Sequence, residues 1–297
     1  MMACMGEDLA DLTPITPDGH LGPADQHPGI RDREYRRRRH AVTAPARGHQ
    51  LGDPAPLVSY TESEHATWRA VHAALVAAYE GRVCPEVLAA REEARLPPDH
   101  VPQLSEVGAR LRSLTGFDFT PAGGPVRNRR FLGALAEGYF HAAQYVRHPA
   151  MPLYTPEPDI IHDVFGHGAH LASPWFADLY RLVGAAAARA VSEDTLDLIS
   201  RVYWFSLEYG VVADRSGVRA YGAALLTSYG ELRRLRLAGI RGWDIADIAR
   251  TSYRTFGYQP VLFGVRSLDH LADALHEFLN DVDEDTGARL GLPTTGP

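Results

Sequence analysis

Apolar residues recur at helical spacing along most of this chain. Thr61-Glu62-Ser63-Glu64 reads as a capping box, and Trp68, Val71, Leu75, Val76 and Tyr79 then repeat every three to four positions, so an amphipathic core helix is expected over 61–82. A shorter helix is expected over 86–95, stopped by Leu96-Pro97-Pro98, and another over 105–114. Further helical patterns cover 131–145, the Ala-rich stretch 173–191, 195–210 and 269–281. The run 257–265, Gly-Tyr-Gln-Pro-Val-Leu-Phe-Gly-Val, reads as a strand after a turn. The pattern predicts a mainly α fold with a few short β-strands, without internal repeats.

Residues 1–26 are rich in Pro, Gly and Asp and show no periodicity, so they are expected to form a disordered lead. The stretch 46–56 reads as a Pro/Gly-rich connector. At 297 residues the chain can bury a substantial core as one domain. Its 45% hydrophobic and 23% charged content is that of an ordinary globular protein. The net charge of −7 offers no general basic field to nucleic acid. Every basic residue is arginine, and the one basic run, 32–42, reads as a solvated helix face rather than a nucleic-acid or membrane patch. Two distant cysteines, Cys4 and Cys84, argue against a disulfide framework. The acidic start lacks a long apolar run, so neither a signal peptide nor a membrane span is expected. A cytoplasmic protein is anticipated.

The chemistry is concentrated in 155–167, Thr-Pro-Glu-Pro-Asp-Ile-Ile-His-Asp-Val-Phe-Gly-His, read together with Glu208. Two imidazoles, His162 and His167, and one carboxylate suit a non-haem Fe(II) bound on one face, with positions left open for oxygen chemistry. Five residues separate the histidines, roughly 140° on a regular helix, unlike the HExxH zinc pattern with its spacing of four. Gly166 and Gly168 flank His167 and could let the helix widen into a π-type turn that brings both rings to one ion. Taken alone, such histidines are as readily explained by buried hydrogen bonding, and Glu208 by a rim position.

The ordered blocks HPGIRDREYRRRRH (27–40), YTESEHATW (60–68), VPQLSEV (101–107), TGFDF (115–119), FLGALAEGYFHAAQYVRH (131–148), TPEPDIIHDVFGH, YWFSLEYG, AYGAALLTSYGEL (220–232) and YQP (258–260) resemble the catalytic domain of the pterin-dependent aromatic amino acid hydroxylases. The resemblance implies one catalytic domain over 27–285, with a polar tail over 286–297. It lacks the regulatory domain and oligomerising helix of larger members, which implies a monomer.

The resemblance also implies the site. His162, His167 and Glu208 would hold Fe(II). Arg147 would take the amino acid carboxylate in a bidentate fork, steadied by Asp159. Thr155 and Pro158 would border the substrate, with Trp204, Tyr209 and Ala224 around its ring. Thr227 would hydrogen-bond His162. The Gly/Pro-rich loop 117–131 would cradle a tetrahydropterin, with Phe131 stacked on the ring, Gly124, Val126 and Asn128 at its edge, and Asp163 and Tyr203 nearby. Tyr60 would head a mobile loop covering the site. With O2 as co-substrate, one oxygen atom goes to the pterin and the other to the aromatic ring of a free amino acid.

Trp204 matches the phenylalanine and tyrosine branches, and Thr255 is not the Asp that marks the tyrosine branch, so hydroxylation of L-phenylalanine at the para carbon is the first expectation. Two departures leave meta-hydroxylation open: Tyr209 stands where para-hydroxylating members have Phe, and Ala224 where they have Gly. Tyrosine or tryptophan hydroxylation within the same family also stays open. Two rivals come from other classes. A zinc hydrolase would use the same three ligands with Asp163 or Glu157 as base; a nucleic-acid module would rest on the arginine run and bind in a salt-sensitive way.

Overall fold

The capping box at Thr61 forms as expected: its hydroxyl accepts the Glu64 N–H at 3.3 Å, and Glu64 accepts the Thr61 N–H at 2.7 Å. The helix it starts runs Glu62–Tyr79 and buries Trp68, Val71, Leu75 and Tyr79. Val76, expected on the same stripe, is instead 40% exposed. Burying each of the larger side chains contributes about 1.5–3 kcal/mol. That stripe backs the segment carrying the two histidines, because Trp68 and Tyr79 pack on Phe165 with ring centres 6.3 and 6.1 Å away.

The computed structural model describes residues 12–17, 19–255 and 257–292. The helices Pro85–Ala94 and Leu104–Thr115 follow within a residue or so of expectation. The second ends at Gly116, whose φ of +79° provides a left-handed cap that a side chain would strain. The helices Pro174–Arg189 and Leu268–Asp281 also match.

Three expectations are corrected. The stretch 131–145 is not one helix: the helix is Asn128–Ala136, Gly138 turns the chain at φ +79°, and Tyr139–Ala142 is a strand. That strand pairs in parallel with Asp118–Pro121 (Phe119 opposite Phe140, Thr120 opposite His141), so the helix serves as a crossover. Second, 195–210 divides into an α-helix, Glu193–Tyr203, and a π-helical turn, Trp204–Glu208. Third, the lead is not structureless where it is described. Leu12–Pro14 and Leu21–Pro23 pair antiparallel, Thr13 is buried, and its hydroxyl donates to that of Tyr154. Residues 1–11 lie outside the described residues. At the other end, Thr286–Arg289 forms a short helix with Thr286 buried, within the stretch expected to be a tail.

A four-stranded sheet closes the C-terminal side, in the order Gly217–Ala220, Val211–Asp214, Val261–Val265 and Gly239–Gly242. Its first pair is antiparallel and the other two are parallel. One core of buried side chains runs from the helix Glu62–Tyr79 through to this sheet. In the basic run, Arg38 forks onto Glu64 at 2.9 and 2.8 Å, and Arg39 pairs with Glu157 while lying over the Tyr145 ring. Among the described residues, no helix is long and apolar enough to cross a membrane.

Candidate active site

The two histidines sit on a π-helical turn, Ile161–His167. The wider turn removes the divergence that a regular helix would impose at a spacing of five. Their Nε2 atoms lie 3.1 Å apart. The second π-helical turn delivers Glu208 to the same point, with its carboxylate oxygens 3.1 Å from His167 Nε2 and 3.6 Å from His162 Nε2.

Hydrogen-bond accounting sets the protons on these rings. His170 Nε2 lies 2.6 Å from the Tyr221 carbonyl and must donate to it, leaving Nδ1 to accept from the Tyr180 hydroxyl at 3.0 Å. The Tyr180 oxygen then accepts from His167 Nδ1–H at 2.7 Å. Thr227 lies 3.2 Å from the carbonyls of Ala223 and Ala224 and donates there, so it accepts from His162 Nδ1–H, also at 3.2 Å. Both histidines therefore carry the proton on Nδ1 and turn an Nε2 lone pair inward. Burial holds the His162 and His170 rings neutral, down to about 4 and about 3. Burial works against the charge of Glu208, so what holds it ionised must be a positive charge beside it. Two lone pairs and a carboxylate thus converge without a proton between them. That donor set repels itself and fits a cation, in the two-histidine, one-carboxylate arrangement suited to iron.

Asp163 brings a second carboxylate within 4.8 Å of the histidine donor atoms. One of its oxygens is taken by the Ala143 N–H at 2.6 Å, and burial pushes its carboxyl well up.

Two cavities meet at this point. The smaller, about 120 Å3, is bordered by Arg147, Thr155, Pro158, Trp204, Tyr209, Ala224 and Thr227, every residue expected around a substrate. Arg147 is buried and forked onto Asp159, with Nε–Oδ2 at 3.0 Å and Nη2–Oδ1 at 2.8 Å. Asp159 also accepts the backbone N–H of Arg147 and of His162, so one carboxylate ties the arginine to the histidine turn. Trp204 packs on Tyr209 and Tyr253, 5.0 and 4.6 Å from their ring centres, and donates to Gln259 Oε1 at 3.3 Å.

The larger cavity, about 800 Å3, is bordered by Gly124, Val126, Phe131 and Asp163. Phe131 is braced edge-on by Phe140 and Tyr203, at 5.3 and 5.9 Å. His162, Glu208, Glu157 and Pro158 border both cavities.

Three expected residues fall elsewhere. Asn128 begins its helix, exposed, and is not on the wall of the larger cavity. Tyr203 is buried behind Phe131; its hydroxyl faces Glu208 without a hydrogen bond of normal geometry. Tyr60 borders neither cavity: its hydroxyl donates to the Gln144 carbonyl at 2.8 Å and its ring packs on the core, which replaces the expected covering position with an anchored one. Sequence reasoning missed the Tyr180–His170 relay, Gln259 as support for Trp204, and the buried His141 on the wall of the larger cavity. A third histidine only three residues after His167 was the available signal for the relay.

A sequence description of the biopterin-dependent aromatic amino acid hydroxylases matches residues 18–291. The chain is 44% identical over 264 residues to the phenylalanine 3-hydroxylase of Streptomyces coeruleorubidus, covering 89% of this chain and 95% of that one. It is 40% identical over 273 residues to the chloroplastic phenylalanine 4-monooxygenase of Chlamydomonas reinhardtii, covering 91% and 73%. Its fold is similar to that of Chromobacterium violaceum phenylalanine hydroxylase in a structure with bound iron(III) and 7,8-dihydrobiopterin. The TM-score is 0.74 at 28% identity, covering 85% of this chain and 93% of that one. With a family match spanning the fold and the site just described, the chain belongs to the biopterin-dependent aromatic amino acid hydroxylases.

Proposed function

We propose that this protein hydroxylates the ring of free L-phenylalanine at the meta carbon, with Fe(II) held by His162, His167 and Glu208 and a tetrahydropterin beside Phe131. The observation that carries this reading is the seam itself: His162 and Glu208 border both the cavity with the buried arginine and the cavity with the aromatic platform. Substrate, metal and pterin would then meet at His162 and Glu208. Iron and reduced pterin together supply the activation of O2 that ring hydroxylation requires.

The protein's own part is placement. Arg147, already aligned by Asp159, would bind the substrate carboxylate, with Thr155 near the amino acid head and Pro158 stiffening the segment. Trp204 would face the aromatic ring. Gly124, Val126 and Asp163 would border the pterin, with Tyr203 bracing Phe131 from behind. Thr227 and Tyr180 keep both histidines in the tautomer that offers Nε2.

Ring position rests on Tyr209 and Ala224, which add a hydroxyl and a methyl to the wall of the smaller cavity. A methyl changes discrimination by roughly 1–3 kcal/mol, enough to redirect one ring carbon over another. The 44% identity to a 3-hydroxylase supports meta, the alternative that the sequence left open beside para. The 40% identity to a 4-monooxygenase supports para as the second reading. The protein would work on small molecules alone, as a cytoplasmic monomer. In support, Arg38 and Arg39 are committed to pairs within the chain, and the net charge is negative.

Turnover of phenylalanine by the Fe(II)-loaded protein with tetrahydropterin and O2, with product isomers separated, tests the proposal. meta-Tyrosine is expected, and the Tyr209→Phe, Ala224→Gly double variant should move product toward para. para-Tyrosine from the unaltered protein would establish the second reading, and no pterin-dependent product would refute both.

A further inference from the structure

The larger cavity does not end at Phe131. Past His141 it runs into an annex of about 410 Å3 whose walls include Arg47, Arg127 and Arg130. The loop 122–126, Arg47 and His141 border both spaces, so the two adjoin. Glu208 and Glu157, the latter paired with Arg39, border the larger cavity at the histidine end, whereas Arg47, Arg127 and Arg130 border the annex.

Arg129, between two of them in the chain, is paired with Glu193, whereas Arg47, Arg127 and Arg130 are exposed and, among the described residues, have neither an ion pair nor a side-chain hydrogen bond. His141 supplies a second, independent sign. It is 5% exposed, borders both spaces, and neither ring nitrogen has a partner. A buried polar side chain is rarely left so, and its position on the cavity wall points to a ligand atom as the partner. The annex is also held in shape: Gly123 lies so close to Arg47 that a Cβ there would be 2.9 Å from the Arg47 Cα.

We propose, resting on the pterin reading above, that this cavity selects a pterin whose side chain ends in an anion, carboxylate or phosphate, received by Arg47 and Arg130, with His141 hydrogen-bonding the atoms that link it to the ring. A neutral side chain could still partner His141 but would leave the exposed arginines to water. The annex opens beside the aromatic platform and away from Arg147, so the anion belongs to the pterin and not to the amino acid.

Binding without turnover tests this. The full chain is titrated by calorimetry or fluorescence quenching with 7,8-dihydrobiopterin (neutral tail), 7,8-dihydrofolate (carboxylates) and 7,8-dihydroneopterin triphosphate (phosphates). At least one anionic pterin is expected to bind roughly tenfold more tightly than the neutral one at low salt, as two partly exposed charge pairs allow. That advantage should shrink as salt rises. The arm that shows it identifies carboxylate or phosphate. Arg47→Ala with Arg130→Ala should bring the anionic pterin to the affinity of the neutral one, and the corresponding double Lys variant should restore most of the difference. Dihydrobiopterin binding as tightly as both anionic pterins overturns the inference and leaves the pterin reading standing, as does an equal loss for all three in the double Ala variant. Failure of all three pterins to bind overturns the pterin reading and this inference together.

Discussion

His167 can offer Nε2 inward only while its proton stays on Nδ1, and that proton is held by a residue with no contact to substrate. Tyr180 accepts it, and His170, pinned by the Tyr221 carbonyl, fixes the direction of the Tyr180 hydroxyl. Tyr180→Phe would leave two buried ring nitrogens unpartnered and free the tautomer. Losing a partner of this kind costs metal sites about 10- to 100-fold in affinity. Titration with Fe(II) under anaerobic conditions, or with Co(II), should show a weakening of that size, and an unchanged dissociation constant would rule the relay out. Tyr180 was not legible beforehand because an aromatic in an Ala-rich helix looks like packing. His162, His167 and Glu208 were legible only as candidates, since residue type does not say which atoms converge.

At the scale of elements, two π-helical turns, Ile161–His167 and Trp204–Glu208, do what regular helices could not. The spacing of five already excluded a regular helix as a two-histidine ligand, and the glycines around His167 pointed to the alternative. Gly166 has a further role that needed the fold to be seen: a Cβ there would lie 2.7 Å from the Ala223 carbonyl. That contact brings the segment Ala223–Thr227 close enough for Thr227 to reach His162. Gly166→Ala should destabilise the protein by about 1–3 kcal/mol through overpacking and weaken metal binding as Thr227 is pushed away. Urea unfolding and the same metal titration would show both effects. Normal values in both would mean that the close approach has no such role. The stretch 131–145 was misread for a related reason: its apolar positions fit a helix, but Gly138 and the pairing with Asp118–Pro121 turn its second half into a strand.

At the scale of the whole molecule, a half-buried carboxyl beside the smaller cavity joins elements distant in the chain. Glu231 accepts the Gln259 backbone N–H and the Ser228 hydroxyl, both at 2.7 Å, joining the helix Tyr229–Arg234 to the segment before the strand Val261–Val265. Burial raises its carboxyl from an ordinary 4.5 to about 7, although those two hydrogen bonds pull the other way. A carboxyl raised on folding stabilises the fold fully below its unfolded value. That contribution is lost as pH rises toward the folded value. Relative to Glu231→Gln, the protein should therefore lose on the order of 3 kcal/mol between about pH 4.5 and 7, and change little above. Denaturant unfolding of both proteins across that range measures the difference, and parallel curves would show that Glu231 does not titrate there.

What the sequence determined by itself was local or periodic: the capping box at Thr61, helices with an apolar repeat, stops at proline, and a histidine spacing that no regular helix satisfies. Those signals act within a few residues, so the chain carries them whatever the fold does. The ordered motifs also carried the family and, with it, the residues expected on the smaller cavity's wall and some of those on the larger one's. Tertiary structure alone decided that Tyr180 and His170 set a tautomer, that Tyr60 is anchored, and that Arg47, Arg127 and Arg130 gather beside the loop 122–126. Each of these depends on groups far apart in the chain being brought within hydrogen-bond or ion-pair reach. Local preference does not specify such distances; packing of the whole core does.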